Sequence, residues 1–394
     1  MSALNQIVAV TAVNLRSLPQ RLGTSMVIVI GIAGVVAVLV SVLAMSVGMI
    51  KTMQNSGRED RAIVLRNGSA AEFGSVLTPP VVREIADTPG VKHNSDGQSL
   101  VSGELLRLVN LHKREDNSEV NATIRGIGAN YASVRPEITI VEGRMFQPAL
   151  NELIVGKAAK KQFRNVDIGS EIKTRFATWT VVGTFATNGD SHESELMTDR
   201  DTLSSAYRGG ANSSATVVLN SPESFQEFKD ALSANPAVSV DVLRERDYYA
   251  RQSKTLTQLL SIVAYVVGGI MAVGAFFGAL NAMYSAVSNR AREIATLRAI
   301  GFGAAATVTS ILVESLLLSL VGGAVGALLA WAFFNGNTVS TGGTAQGNLV
   351  FDLTVSPQLV IVGIIWAISI GFIGGLLPAI RAARLPVATA LRAV

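Results

Sequence analysis

His192, Glu193 and Glu195 are the side chains of this 394-residue chain best placed by type and spacing to hold a metal ion. Imidazole and carboxylate are ordinary zinc ligands, but a closed site takes about four, and no other ligand is identifiable nearby. The tract around them, NGDSHESE (residues 188–195), reads as a mobile loop. Glu314 is an acid inside a long apolar run, where a central position in a bilayer costs on the order of 3 kcal/mol. It could relay protons, yet that run offers no second acid or base; Asn281 or Ser285, on the preceding apolar segment, are its expected partners. Gly156-Lys157-Ala158 lacks the first glycine and the hydroxyl residue of a phosphate-binding loop, and Gly301-Phe302-Gly303 mimics a dinucleotide fingerprint without a strand before it. The chain has no cysteine, which excludes disulfides, thiolate metal sites and cysteine nucleophiles. No catalytic, metal or cofactor-binding constellation emerges.

What remains is a cationic knuckle. Residues 281–301, NAMYSAVSNRAREIATLRAIG, leave a long apolar helix at Val287, carry Arg290, Arg292, Glu293 and Arg298, and re-enter apolar sequence after Gly303. As a helix this segment sets Ile294, Leu297 and Ile300 opposite the arginines, an arrangement suited to a membrane surface. Two readings compete: a basic loop that fixes topology, or a coupling helix on which a cytoplasmic partner pushes.

Composition says what kind of element must position these residues. Only 16% of residues are charged, against about a quarter in soluble proteins, so membrane insertion is the first expectation. The net charge of +4 invites a nucleic-acid reading until it is located. Residues 51–254 hold 25 basic and 26 acidic side chains, and the remaining 8 basic residues, with 3 acidic ones, flank apolar segments. That is a topology pattern, not a phosphate-binding surface, and no nucleic-acid partner is expected.

In order, residues 1–21 form an interfacial amphipathic helix with an apolar stripe of Leu4, Ile7, Val8, Ala12 and Leu15, ended by Pro19. Residues 22–50 carry no charge through position 50 and are long enough to cross a bilayer core of about 30 Å. Ala44 and Ser46 could mark a signal-peptide cleavage site, but the run far exceeds a signal core of about 7–15 residues, so a retained helix is expected. Residues 51–254 form a soluble domain. Two of its segments, about 58–95 and 213–245, repeat a strand, helix, Pro-marked turn and strand, suggesting a related pair of α+β lobes. Between them, runs at 122–127, 152–155, 171–176 and 178–185 read as strands of an inserted β-rich lobe. A stalk beginning near Tyr248 leads into helix 2 (255–287), followed by the coupling segment (288–303), helix 3 (304–334), a loop (335–357), helix 4 (358–378) and a tail (379–394). The fold class expected is therefore an α-helical membrane protein of four transmembrane helices, with a large α+β domain inserted between helices 1 and 2. Arg16, Arg21, Arg290, Arg292, Arg298, Arg381, Arg384 and Arg392 lie at one set of helix ends, and the 335–357 loop has neither Lys nor Arg. Both termini and the Arg290 segment are expected to be cytoplasmic and the soluble domain outside, periplasmic in a double-membrane bacterium. Gly274 with Gly278, Gly322 with Gly326, and Gly371 with Gly375 form GxxxG pairs suited to close helix packing.

The motifs N-x-M…R-x-R-E-I-x-x-L-R-A-I-G (281–301), VESLLLSLVGGAVG (313–326) and G-x-L-P-A-x-x-A-A…P…A-L-R (375–392) come in the order found in permeases of MacB/FtsX-like ABC transporters, which the chain resembles. VEGRMF (141–146), ELIVGK (152–157), DIGSEI (167–172) and TVVGTF (180–185) resemble that family's periplasmic core. The resemblance implies a stand-alone, non-catalytic permease subunit of the cell inner membrane, with no fused ATPase. A separate cytoplasmic ATPase dimer would supply ATP and Mg, and a second permease copy would complete a homodimer in contact with membrane lipid. A periplasmic adaptor and an outer-membrane channel are further partners it suggests. ATPase motion would reach the outer domain through the stalks, with the coupling role falling to Arg290, Arg292, Glu293, Ile294, Leu297 and Arg298. Export or efflux is the implied outcome; lipoprotein release, or regulation of signalling or of a cell-wall enzyme, is the alternative. Ala295 stands where a Gly is common in the family, and the Leu385-Pro386 step lacks a frequent acidic residue.

Overall fold

The computed structural model describes residues 3–17, 22–341 and 349–384. Pro19, Arg21, the middle of the last loop, the Leu385-Pro386 step and Arg392 lie outside the described residues. The chain divides into two compact units, one of Met1–Val47, Leu256–Asn337 and Leu353–Val394, the other of Gly48–Thr255 and Thr338–Asp352.

The first unit is helical: α1 (Ala3–Ser17), most of α2 (Leu22–Asn55), and, after the second unit's elements, α8 (Glu245–Asn289) from Leu256 on, α9 (Ala291–Ala299), α10 (Ala304–Phe334) and α11 (Pro357–Arg384). Four of these, α2, α8, α10 and α11, are long and apolar enough to cross a membrane. An apolar run satisfies its backbone only by helical hydrogen bonds when no water is near, which is why α2 and α10 continue without a break. The core gathers Ile32, Val36 and Leu39 of α2, Met283 of α8, Leu318 of α10 and Ala367 of α11. α11 runs through Pro378 to Arg384, longer than the apolar stretch alone suggests. The stripe expected on α1 is not the buried one: Val10 and Asn14 are buried while Val8 and Ala12 are exposed, because α1 packs sideways on α10.

The second unit contains β1 (Arg61–Arg66), α3 (Pro79–Ala86), β2 (Val101–His112), β3 (Glu119–Ile127), α4 (Tyr131–Val134), β4 (Thr139–Gly143), β5 (Glu152–Gly156), α5 (Lys157–Gln162), β6 (Glu171–Lys173) and β7 (Thr178–Ala186). β8 (Leu196–Asp199), α6 (Arg200–Ala206), β9 (Ser214–Val218), α7 (Phe225–Ala234) and β10 (Val240–Arg244) follow. One ten-stranded sheet runs β10-β1-β9-β2-β3-β8-β5-β7-β4, with β6 also on β7. The two repeated segments do not make separate lobes. β1 lies between β10 and β9, and Ile85 of α3 shares one core with Phe228 and Leu232 of α7. Each strand–helix segment is too small to bury its own apolar face, so the pair interleaves. A second core fills the other half, around Trp179, Phe163, Val155 and Ile124. The last loop carries a hairpin, β11 (Thr338–Ser340) with β12 (Val350–Asp352), and Ser194 exchanges hydrogen bonds with the Val350 backbone at 2.9 and 3.2 Å. Those bonds help hold residues 188–195, read from sequence as a mobile loop, as a buried turn: Asp190 caps the 3-10 turn Ser191–Ser194, and His192 and Ser194 are buried.

Candidate functional site

α9 begins one residue after α8 ends, and Arg290 makes the joint: φ −109° and ψ 8° break the helix, while its carbonyl accepts the Ile294 amide at 2.9 Å. At the other end Gly301 takes φ +99°, its amide donating to Arg298 and the Phe302 amide to Leu297, both at 3.1 Å. This left-handed closure favours glycine and stops α9 sharply. A short helix held at both ends behaves as a rigid block.

The Arg290 guanidinium turns inward and is 5% exposed. Its Nη1 donates to Glu314 at 3.0 Å and its Nη2 to Asn14 and, at 3.4 Å, to Ser17. Asn14 in turn donates to Ser310. α1, α9 and α10 are therefore tied through one cation, beside a void of ≈ 20 Å³ bordered by Met283, Val287 and Ile311, room for about one water. Burying either charge alone costs several kcal/mol, and pairing offsets that cost. Glu314 is thus not served by Asn281 or Ser285, both of which are exposed on α8. The face of α10 that carries Thr307, Ser310, Ile311 and Glu314 packs on α1, with Arg290, Ile294 and Leu297 and, from α8, Met283 and Val287 around the same void. Paired in this way, Glu314 has a structural counter-ion and does not stand as a lone proton carrier.

The six residues assigned to coupling therefore divide. Arg290 and Ile294 are buried, Leu297 and Arg298 half-buried, and Arg292 and Glu293 exposed. Ile300, expected on the apolar face, is 70% exposed, which adds a bare apolar knob to the outer surface of the knuckle. Sequence reasoning missed Asn14 as well; its signal was a polar residue one turn from Val10 and two turns from Ile7, in line with apolar positions of an amphipathic helix.

The glycine pairs divide too. A Cβ on Gly322 would lie 2.9 Å from the Val29 carbonyl oxygen, and one on Gly326 would collide with the Ala33 carbonyl, so α10 rests on the backbone of α2. Gly371 and Gly375 press on Ser319 and Ser315, and Ser315 donates to the Gly371 carbonyl at 2.7 Å. Gly274 and Gly278 meet nothing within 4 Å among the described residues. Gly326→Val is expected to cost about 1–3 kcal/mol through overpacking, whereas Gly274→Val leaves the thermal melt of the detergent-purified monomer unchanged.

In the second unit the sheet encloses a network of ionised side chains. Arg125 donates to Glu72 at 2.9 and 3.2 Å, to Glu104 at 2.5 Å and to Glu195 at 2.7 and 2.9 Å. Arg135 reaches Glu104 at 3.1 Å, Glu245 at 2.9 Å and Thr216 at 3.1 Å; Arg61 reaches Glu245 and Glu137, both at 2.6 Å. Glu245 is the first residue of α8, so the root of that helix is fastened to β1 and to the turn after α4. Burial pushes the Glu104 carboxyl up, but Arg135 and Arg125 outweigh it and bring it down to about 2. Glu195 is likewise raised by burial and carried well below the usual carboxylate range by Arg125. His192, considered as a metal ligand, has both ring nitrogens in contact with protein, Glu195 at 3.1 Å and Tyr249 at 3.2 Å. No cluster of metal-ligating side chains occurs among the described residues.

The MacB-like periplasmic core domain family matches residues 22–235, more than half of the chain, and the FtsX-like permease C-terminal family matches residues 265–387. The chain belongs to the MacB/FtsX-like ABC permease family. Among relatives of this permease, the uncharacterized ABC transporter permease YknZ of Bacillus subtilis (strain 168) is 25% identical over 299 residues, covering 71% of this chain and 72% of that one. The macrolide export ATP-binding/permease proteins MacB of Hahella chejuensis and Campylobacter jejuni are 25% and 23% identical, covering 96% and 97% of this chain but 58% and 60% of theirs. The permease thus spans about three-fifths of those MacB proteins. Among solved structures, the periplasmic region of MacB from Actinobacillus actinomycetemcomitans aligns with 54% of this chain and 97% of its own, at TM-score 0.37 and 15% identity.

Proposed function

We propose that this ABC permease receives the push of a separate cytoplasmic ATPase on α9 and passes it through α8 to the sheet-rich unit, driving export or efflux. The observation that carries this reading is the two-sided character of α9: Arg290 locks its inner side to α1 and α10, while Arg292, Glu293 and Ile300 face outward. A force on such a block displaces the helices tied to it instead of bending a loop. At its far end α8 starts at Glu245, held by Arg61 and Arg135, so that its root moves with the sheet. ATP and Mg belong to the partner in this scheme, and this chain's residues only dock and transmit. The basic helix ends favour a cytoplasmic α9 and cytoplasmic termini, with the sheet-rich unit outside. The macrolide-export relatives favour export in a tripartite assembly with an adaptor and an outer-membrane channel. A second copy of the chain fits the open face of α8 at Gly274 and Gly278, where small residues allow close approach.

Arg292→Glu combined with Ile300→Asp is expected to leave expression and thermal stability intact. Copurification of an ATP-hydrolysing subunit from the native host should fall by about tenfold or more, since charge reversal and loss of a central apolar contact each weaken an interface. Undiminished ATPase recovery would refute the coupling role of α9.

A further inference from the structure

The β2–β3 ladder shows which backbone groups of β2 remain open. Lys113 N–H donates to the Ser118 carbonyl at 2.9 Å, which makes the odd-numbered residues of β2 the ones bonded to β3. The even-numbered residues point to the opposite edge. There Ser102 and Glu104 pair with β9, the Leu106 amide donates to Ser213 Oγ at 3.1 Å, and the His112 carbonyl accepts from Arg164 at 2.9 Å. Leu108 and Asn110, between them, have no backbone partner among the described residues. The same logic applies to β6. Thr174 N–H donates to Ala177 and Val181 N–H to Ser170, so the even-numbered positions bond β7 and Glu171 and Lys173 point away, also without backbone partners among the described residues.

Both open edges line one cleft of ≈ 760 Å³. Unpaired edges of this kind template the addition of a strand. We propose that this cleft binds an extended segment of a partner protein, alternating apolar and acidic residues, as an added strand between β2 and β6. The alternation follows from the pleat. On one side the flanking residues Val109, Leu111 and Ile172 belong to the buried core around Trp179, which calls for apolar side chains. On the other, Arg164, Lys173 and Arg175 line the cleft against Glu119 and Glu171, an excess of positive charge that selects acidic ones. Phe176, 52% exposed and edge-on to Tyr207 with ring centroids 4.9 Å apart, supplies an aromatic wall under the Arg175 guanidinium.

The test uses the full chain in detergent and two fluorescent hexapeptides, one alternating Glu and Val and the other Lys and Val. The Glu peptide should bind and slow amide exchange in both 105–112 and 170–176. The Lys peptide should bind about tenfold more weakly or not at all, and Lys173→Glu with Arg175→Glu, both at the surface, should weaken the Glu peptide about tenfold. A Glu peptide methylated on alternate backbone nitrogens should lose binding, because strand addition depends on those donors. The proposal is overturned by absence of Glu-peptide binding, equal binding of both peptides, or protection of only one segment. Self-association of the chain through the same edges, seen as a doubled mass with both segments protected and no peptide added, would also overturn it.

Discussion

Arg125→Met is expected to destabilise the sheet-rich unit by about 3–5 kcal/mol, the cost of leaving buried charge without its partner. Glu72, Glu104 and Glu195 all converge on this guanidinium, and the four side chains are almost wholly out of water. Domains are stable by only about 5–15 kcal/mol, so the substitution removes a large part of the total. Arg144→Met, at an exposed pair with Glu152, serves as the control and should leave the melt of the detergent-purified chain unchanged. The network also sets an acid limit. Glu104 is held at about 2, below its usual 4.5, so the stability it contributes is complete above about pH 4.5 and is lost as pH falls toward 2. Glu195 and Glu137, lowered as well, act with the same sign. Asp190, raised by burial, opposes them: its contribution is present at low pH and lost as pH rises through its elevated value. The lowered carboxylates outweigh the one raised acid and give cooperative loss of sheet circular dichroism below about pH 4.5, and Glu104→Gln should flatten that dependence. Unfolding of wild type and Glu104→Gln at the same pH would contradict this.

Arg290→Met is expected to cost the helical unit a comparable 3–5 kcal/mol, because Glu314 would remain buried without its cation. The same substitution removes the donor to the Asn14 side-chain oxygen and leaves its bond to Ser310, so α1 should become more sensitive to protease under native conditions. Arg290→Met with Glu314→Leu replaces the pair by apolar side chains of similar reach and should recover most of the melt. A double-mutant cycle on thermal unfolding would then return a coupling of about 0.5–3 kcal/mol. If the two single losses merely add, the pair does not hold α9 to α10. If the recovered double variant still recruits its ATPase, Arg290 serves packing and the docking surface lies with Arg292 and Ile300 alone.

The two charge clusters differ in how far they could be read in advance. Arg290 and Glu314 stood out because charge in an apolar setting is conspicuous, yet their mutual pairing was not legible. Glu314 was matched to Asn281 and Ser285 within α8, whereas the cation that pairs with it is Arg290, at the joint of α8 and α9. Arg61, Arg125, Arg135 and Glu245 gave no signal at all, since charged residues in a neutral soluble stretch are ordinarily solvated. His192 shows the converse: a local cluster of ligand-type side chains read as a mobile loop proved to be tied down by Glu195, Tyr249 and the 338–352 hairpin.

Local composition and period determined by themselves the four long apolar helices, the knuckle at 281–301 and the strand–helix repeats, and short motifs carried the family resemblance, since each depends on neighbours along the chain. Tertiary structure alone decided that the repeats share one sheet, that Gly322 and Gly326 meet α2 while Gly274 and Gly278 meet nothing within 4 Å among the described residues, and that Arg290 is buried while Ile300 is not. The reason is physical: pairing of buried charges, strand order and the contact made by a glycine face depend on residues hundreds of positions apart, such as Asn14 and Arg290, and hydrophobic periodicity carries no information about which distant partner will arrive.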